Sequence, residues 1–233
     1  ALGIACAGTA LLIRSGDIDD DVAREAPEDH AAQGSVPSVR EILAKPFVLT
    51  FATVVVLFHI ANAAMLPLIG EELPGQNGHS SPVYMSASIV VAQLIMIPVA
   101  FVSGRLADRI GRKPILLVAF AALVLRGLLF SLGRSPNYLV GVEALDGVGT
   151  GISGVVTVLI ISDLAKGTSR FNLLQGAIQT CLGIGSFLGN LLGGFAAKSF
   201  GFPVAFIGLA LVAFAGMLFL AVKMPETLRR RKS

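Results

Sequence analysis

Charged side chains are scarce in this chain: Asp, Glu, Lys and Arg make up 14% of its 233 residues, against about 25% in a soluble domain. That shortage excludes a water-facing surface over most of the chain. Cysteine is sparse as well. Cys6 and Cys181 fall in apolar segments far apart in sequence, which leaves neither a disulfide framework nor metal-ligand spacing, and both read as small buried hydrophobes. No nucleophile–base pair or metal-ligand cluster stands out, so an enzyme is the least favoured class and no cofactor is implied. Gly149-Thr-Gly-Ile-Ser-Gly154 matches G-x-G-x-x-G, but it lies inside an apolar run rather than after a strand, so it reads as helix packing and not as a nucleotide site.

What the chain has instead is long apolar blocks. The hydrophobic share is 54% and the mean hydropathy +0.78. Six runs approach or exceed the roughly 18–20 residues that a membrane-spanning helix needs: Phe47–Gly70, Val83–Ser103, Ile115–Leu132, Tyr138–Ile161, Phe171–Ala197 and Phe202–Val222. Ala1–Ile13 is apolar but too short to span, and it reads as the truncated end of a seventh span belonging to a longer parent. Residues 14–46 are acidic and then rich in Gly, Ser and Pro, a composition that reads as a flexible linker. The fold class expected is an all-α polytopic membrane protein: stub (1–13), linker (14–46), six-helix bundle (47–223) and basic tail (224–233).

The distribution of cations sets an orientation. With loops alternating between sides, fifteen of the eighteen Lys and Arg fall on one side, Arg134 and Lys198 fall on the other, and Arg126 lies within a span. The positive-inside rule places the linker, both basic turns and the C-terminus in the cytoplasm of a cell whose plasma membrane holds the bundle. The surplus charge therefore belongs to topology and implies no nucleic-acid partner.

Between the second and third spans stands Gly104-Arg-Leu-Ala-Asp-Arg-Ile-Gly-Arg-Lys113, with four cations and one acid in ten residues. Such a stretch cannot sit in hydrocarbon and reads as a tight aqueous turn. The pattern G-x-L-A-D-R-x-G-R-K resembles the loop signature of the major facilitator superfamily of membrane transporters. A linker followed by six spans, and an end at Pro225-Glu226-Thr227 with a basic tail, resembles the second half of such a transporter. Two departures also favour the second half: Glu143-Ala-Leu-Asp146-Gly147 stands where the first-half pattern has Arg and Gln, and Asn190 stands where it has Pro.

The resemblance implies a secondary transporter that works by alternating access, with a bilayer, a small-molecule substrate and a missing N-terminal six-helix half as its partners. Proton-coupled efflux of a small organic solute is the first expectation, and uptake by symport is the near alternative. A receptor or scaffold, which would need neither titratable groups in the spans nor a basic turn, is the rival from another class.

Several residues are candidates for function. In the basic turn, Gly104 and Gly111 permit a tight reversal, and Asp108 has Arg109, Arg112 or a helix N-terminus as possible partners. Asp163, ending the fourth span, is a second acid within reach. The resemblance implies a conformational latch; a solvated loop is the plainer alternative.

The fifth span carries Gly176, Gly185, Gly189, Gly193 and Gly194. Their spacing, G-x8-G-x3-G-N-x2-G-G, resembles an antiporter glycine signature with Asn190 in place of its Pro, and a packing groove for a neighbouring helix is the favoured reading.

Charged side chains inside the spans cost about 2.5–3.5 kcal/mol each unless they are paired or face water. Arg126, Glu143 and Asp146 fall at overlapping depths, about 7–12 Å below the outer surface. Arg126 is expected to pair with one carboxylate and leave the other to titrate, a static ion pair being the alternative. His59, Asn62, Gln93, Gln175 and Gln179 are mid-span polar groups; each either touches substrate or is satisfied by a neighbouring helix.

Overall fold

The computed structural model describes residues 41, 44–72, 81–166 and 171–227. The expected stub, nearly all of the linker and the tail beyond 227 lie outside the described residues. The rest is helical, with no strand among the described residues. The helices are α1 (Pro46–Ala63), α2 (Met65–Glu72), α3 (Ser81–Ile110), α4 (Arg112–Leu132), α5 (Pro136–Val142), α6 (Ala144–Ala165), α7 (Phe171–Phe200) and α8 (Phe202–Lys223).

Because α1 and α2, and likewise α5 and α6, are separated by one residue, these eight helices make six apolar units of membrane length. The first unit breaks at Ala64. Pro67 lacks the N–H that the Ala63 carbonyl would otherwise accept from, so the regular ladder fails one turn before the proline. The fourth unit breaks at Glu143 without a proline: the Asp146 N–H bonds the Glu143 carbonyl at 2.9 Å in a tightened turn, while that of Gly147 reaches the same oxygen at 3.4 Å.

The basic stretch 104–113 is helical almost throughout. α3 runs on to Ile110 and α4 begins at Arg112, so Gly111 alone makes the reversal. Its φ of +115° lies in a region that side-chain-bearing residues rarely adopt. Gly201, with φ +87°, joins α7 to α8 in the same way. The expected loop is therefore two helix ends meeting at one glycine, because Arg, Leu, Ala and Ile sustain a helix once the backbone has left the apolar layer.

Side-chain packing pairs α3 with α6, α4 with α8, and α1 with α7, while α6 also meets α4 and α8 also meets α1. Phe51, Phe58 and Phe120 lie at the centre, with Phe58 and Phe120 edge to face at 5.2 Å between ring centroids. Burial is uneven. Half of the apolar window of α4 is buried, against 22% for α7 and 6% for α3. The flanking helices thus present Leu94, Ile97 and Phe101, and Phe187, Leu191 and Phe195, on open faces. Lipid tails solvate such faces as well as protein does, so they cost nothing in a bilayer.

Glycine sets how closely two of these pairs approach. A Cβ built on Gly185 would stand 2.7 Å from the Val56 carbonyl oxygen, one on Gly193 would stand 2.6 Å from the Ala64 Cβ, and one on Gly189 would press on Ile60. Hence α7 rests against the backbone of α1 at Gly185 and Gly189, and against Ala64 at Gly193. Gly176 and Gly194 take no part, having no neighbour near the Cβ position. Gly147 and Gly151 do for α6 against α3 what the row on α7 does for α1.

Candidate functional site

Two polar clusters stand out, one inside the apolar layer and one at its basic end. The first is built on Arg126 of α4, whose side chain is 1% exposed. Its Nη2 donates to both carboxylate oxygens of Glu143, at 3.0 and 2.9 Å. Its Nη1 donates to Asp146 Oδ1 at 2.8 Å and to Asn62 Oδ1 at 2.7 Å, and the guanidinium carbon lies 5.3 Å from the centroid of the Phe130 ring.

The local break at Glu143 brings two acids three residues apart onto one planar fork. Arg126 therefore pairs with both carboxylates, not with one, and Asn62, expected as a cavity residue, is a member of the same cluster. With Arg126 charged and both acids ionised the cluster carries one surplus negative charge. The two acids are not equivalent. Glu143 is 1% exposed and held by two bonds; Asp146 is 19% exposed and held to Arg126 through one oxygen only. Asp146 forms the open edge of an otherwise closed ion cluster.

The remaining mid-span candidates stay apart from it. His59 Nδ1 lies 2.9 Å from the Val55 carbonyl oxygen on its own helix, and the imidazole packs edge-on against Phe58, 5.4 Å between centroids. Gln93 and Gln179 are exposed. Gln175 Oε1 is buried with no hydrogen-bond partner among the described residues. None of these four shares a hydrogen bond with the Arg126 cluster among the described residues.

The second cluster centres on Arg112, which is almost fully buried at the start of α4. Its Nη1 donates to Asp108 at 2.9 Å and to the Ala107 carbonyl at 2.7 Å, while Nε donates to Asp163 of α6 at 3.1 Å. Lys166 holds the other Asp163 oxygen at 2.7 Å. Asp108 is thus paired with Arg112; Arg109 is exposed and has no acidic partner among the described residues. Gly104 sits against Val155 in ordinary contact.

Sequence reasoning missed Glu226 in this cluster. Its carboxylate accepts from the backbone N–H of Arg112 at 2.9 Å and of Lys113 at 3.1 Å, capping the start of α4. Lys113 Nζ then returns to the Ala221 carbonyl at 2.7 Å. The only available signal was the acid in Pro225-Glu226-Thr227, one turn beyond the last span. No group of acids, histidines and cysteines among the described residues is arranged to hold a metal.

The signature motif, the six membrane-length helices and the glycine-spaced packing all agree with one family model, described as Major Facilitator Superfamily, which matches residues 2–139 and 47–233. The chain belongs to the major facilitator superfamily.

Members similar to it include an uncharacterized MFS-type transporter of Mycobacterium tuberculosis, 44% identical over 211 residues that cover 90% of this chain and 50% of the relative. The multidrug resistance protein fnx1 of Schizosaccharomyces pombe is 34% identical over 146 residues, covering 62% of this chain and 26% of its own length. Among solved structures, a peptide transporter POT in complex with alafosfalin superposes with a TM-score of 0.62 at 20% identity, over 88% of this chain and 41% of that one. That likeness confirms the helical arrangement. The chain spans about half the length of the curated relatives it matches.

Proposed function

We propose that this chain is the C-terminal six-helix half of a secondary transporter that exports a small organic solute in exchange for protons. The observation that carries the proposal is the Arg126 cluster: two carboxylates share one guanidinium inside the apolar layer, and the partly exposed Asp146 is the group on which a proton or solute acts. A surplus charge at that depth is costly. Protonation of Asp146 removes the surplus while Glu143 keeps Arg126 neutralised.

In this reading the missing N-terminal half faces α1, α3 and α7 across a cavity, and the two halves rock about it. The open apolar faces of α3 and α7 support contact with that half and with lipid. His59, Gln93, Gln175 and Gln179 are the reserve of solute contacts on the same side of the scheme. Relatives named as multidrug resistance proteins support export over uptake. The charge distribution supports a cytoplasmic position, at the plasma membrane, for the end of the bundle that holds Arg112 and Glu226. There Asp108, Arg112, Asp163 and Glu226 form a latch that opens and closes as the halves move, with Gly111 as its pivot.

The test is proton flux in proteoliposomes of the full-length protein across a panel of organic solutes, with Asp146→Asn and Glu143→Gln compared. Solute-dependent proton movement that Asp146→Asn abolishes supports the proposal. Solute transport with an unchanged pH dependence in Asp146→Asn rejects the role of Asp146. Inward coupled movement would turn the reading to symport, and no movement of any solute would favour a scaffold.

A further inference from the structure

A groove of about 270 Å³ opens between α3 and α4 on the side of the basic turn. Pro98, Val102 and Leu106 form one wall, Ile115 and Val118 the other, and Ile152 of α6 the floor. Ile115 and Ile152 are buried, whereas Val102, Leu106 and Val118 are exposed along the rim. The one hydroxyl in the lining, Ser103, is turned to the Ala100 carbonyl at 3.0 Å, so the walls offer no free polar group. The groove exists because α3 packs chiefly on α6 and meets its sequence neighbour α4 only sparsely.

Two cations stand at its basic end. Arg109 lies three, seven and eleven residues beyond Leu106, Val102 and Pro98 on α3, spacings that share one helix face. It follows Leu106 by about 4.5 Å along the axis. Arg105 is folded back over the exposed Phe101 ring, its guanidinium carbon 4.1 Å from the centroid. Neither guanidinium has an acidic partner among the described residues, since Asp108 and Asp163 are engaged by Arg112.

An apolar trough that ends in two unpaired cations is complementary to a molecule with an apolar tail and an anionic head. We infer that the groove between α3 and α4 is a binding site for an anionic phospholipid, with one acyl chain between Val102 and Val118 and its phosphate on Arg109 and Arg105. A segment of one chain fits the volume, and the whole lipid does not, so the glycerol and second chain remain in the bilayer. Basic sites of this kind between membrane helices take lipid headgroups by charge. The inference is independent of which solute is moved.

The experiment places a fluorophore on Val118→Cys in the full-length protein, with the other cysteines replaced, and reconstitutes it in phosphatidylcholine. Phosphatidylglycerol or phosphatidylcholine with brominated acyl chains is then titrated in, and quenching is read. Brominated phosphatidylglycerol should quench at a much lower mole fraction than brominated phosphatidylcholine. Arg109→Gln and Arg105→Gln should each reduce that preference about fivefold, and high salt should reduce it in the unsubstituted protein. Both arginines are exposed, so neither change threatens folding. Equal quenching by the two lipids, unchanged by the arginine substitutions, would mean ordinary surrounding lipid and overturn the site. Absence of quenching by either would mean that protein covers the groove, and would overturn it too.

Discussion

Arg126→Gln removes the one cation from a cluster of two acids. Arg126 contributes four hydrogen bonds, two to Glu143 and one each to Asp146 and Asn62. Glu143, 1% exposed, is left with a charge that no water can reach; Asp146, 19% exposed, keeps part of its solvation, so its loss is discounted. Breaking a buried pair on one side costs about 3–5 kcal/mol, most of it from the stranded partner. The expected loss for Arg126→Gln lies in that range.

Glu143→Gln added to Arg126→Gln removes the stranded charge, and the pair should cost about 2–3 kcal/mol less than the two single changes added together. Reversible unfolding of the detergent-solubilised protein, followed by the loss of ordered helix, supplies the four stabilities. The deficit of Arg126→Gln should also shrink as the pH is lowered, because protonation neutralises the stranded Glu143. Additivity of the two changes within about 0.5 kcal/mol, or a single-substitution loss below about 1 kcal/mol, would refute the view that the cluster is a coupled ionic unit.

Gly189→Ala should destabilise by about 1–3 kcal/mol, because its Cβ meets the Ile60 backbone, which cannot retreat without moving α1. Gly183→Ala on the same helix, with nothing within 4 Å, should be neutral or stabilising, and thermal unfolding of the two variants side by side gives the comparison. Glu226→Ala should cost about 1 kcal/mol through loss of the cap on α4. Amide exchange should then accelerate at Arg112 and Lys113, whose N–H groups it holds, and not at mid-helix positions such as Phe120.

Reading the charged stretch 104–113 as a loop illustrates where sequence reasoning ran short. Its composition shows correctly that it leaves the hydrocarbon. Whether the backbone then continues as helix is a separate question, decided by helix-forming Leu, Ala and Arg and by the single positive-φ glycine at 111. Arg126 and its acids were legible as a group because their depths can be counted from the span ends. That the guanidinium takes both acids was not legible, since it depends on the break at Glu143, which has no proline to announce it and stands among glycines (Gly141, Gly147 and Gly149) that read equally well as helix packing.

What the sequence by itself determined is the set of membrane-length segments, their division into a basic and a non-basic end, and the family motif. These follow from run length and charge order along the chain, which a bilayer reads one segment at a time. The tertiary structure alone decided which side of each helix faces which neighbour. Asn62 meets Arg126 across 64 residues, and Glu226 caps α4 across 114. Helices that are apolar all round give no stripe to orient them, because lipid and protein neighbours are equally acceptable to Leu, Val and Phe. Rotation about each axis is fixed only when close-packing glycines and buried charges find their partners, and those partners lie on other helices.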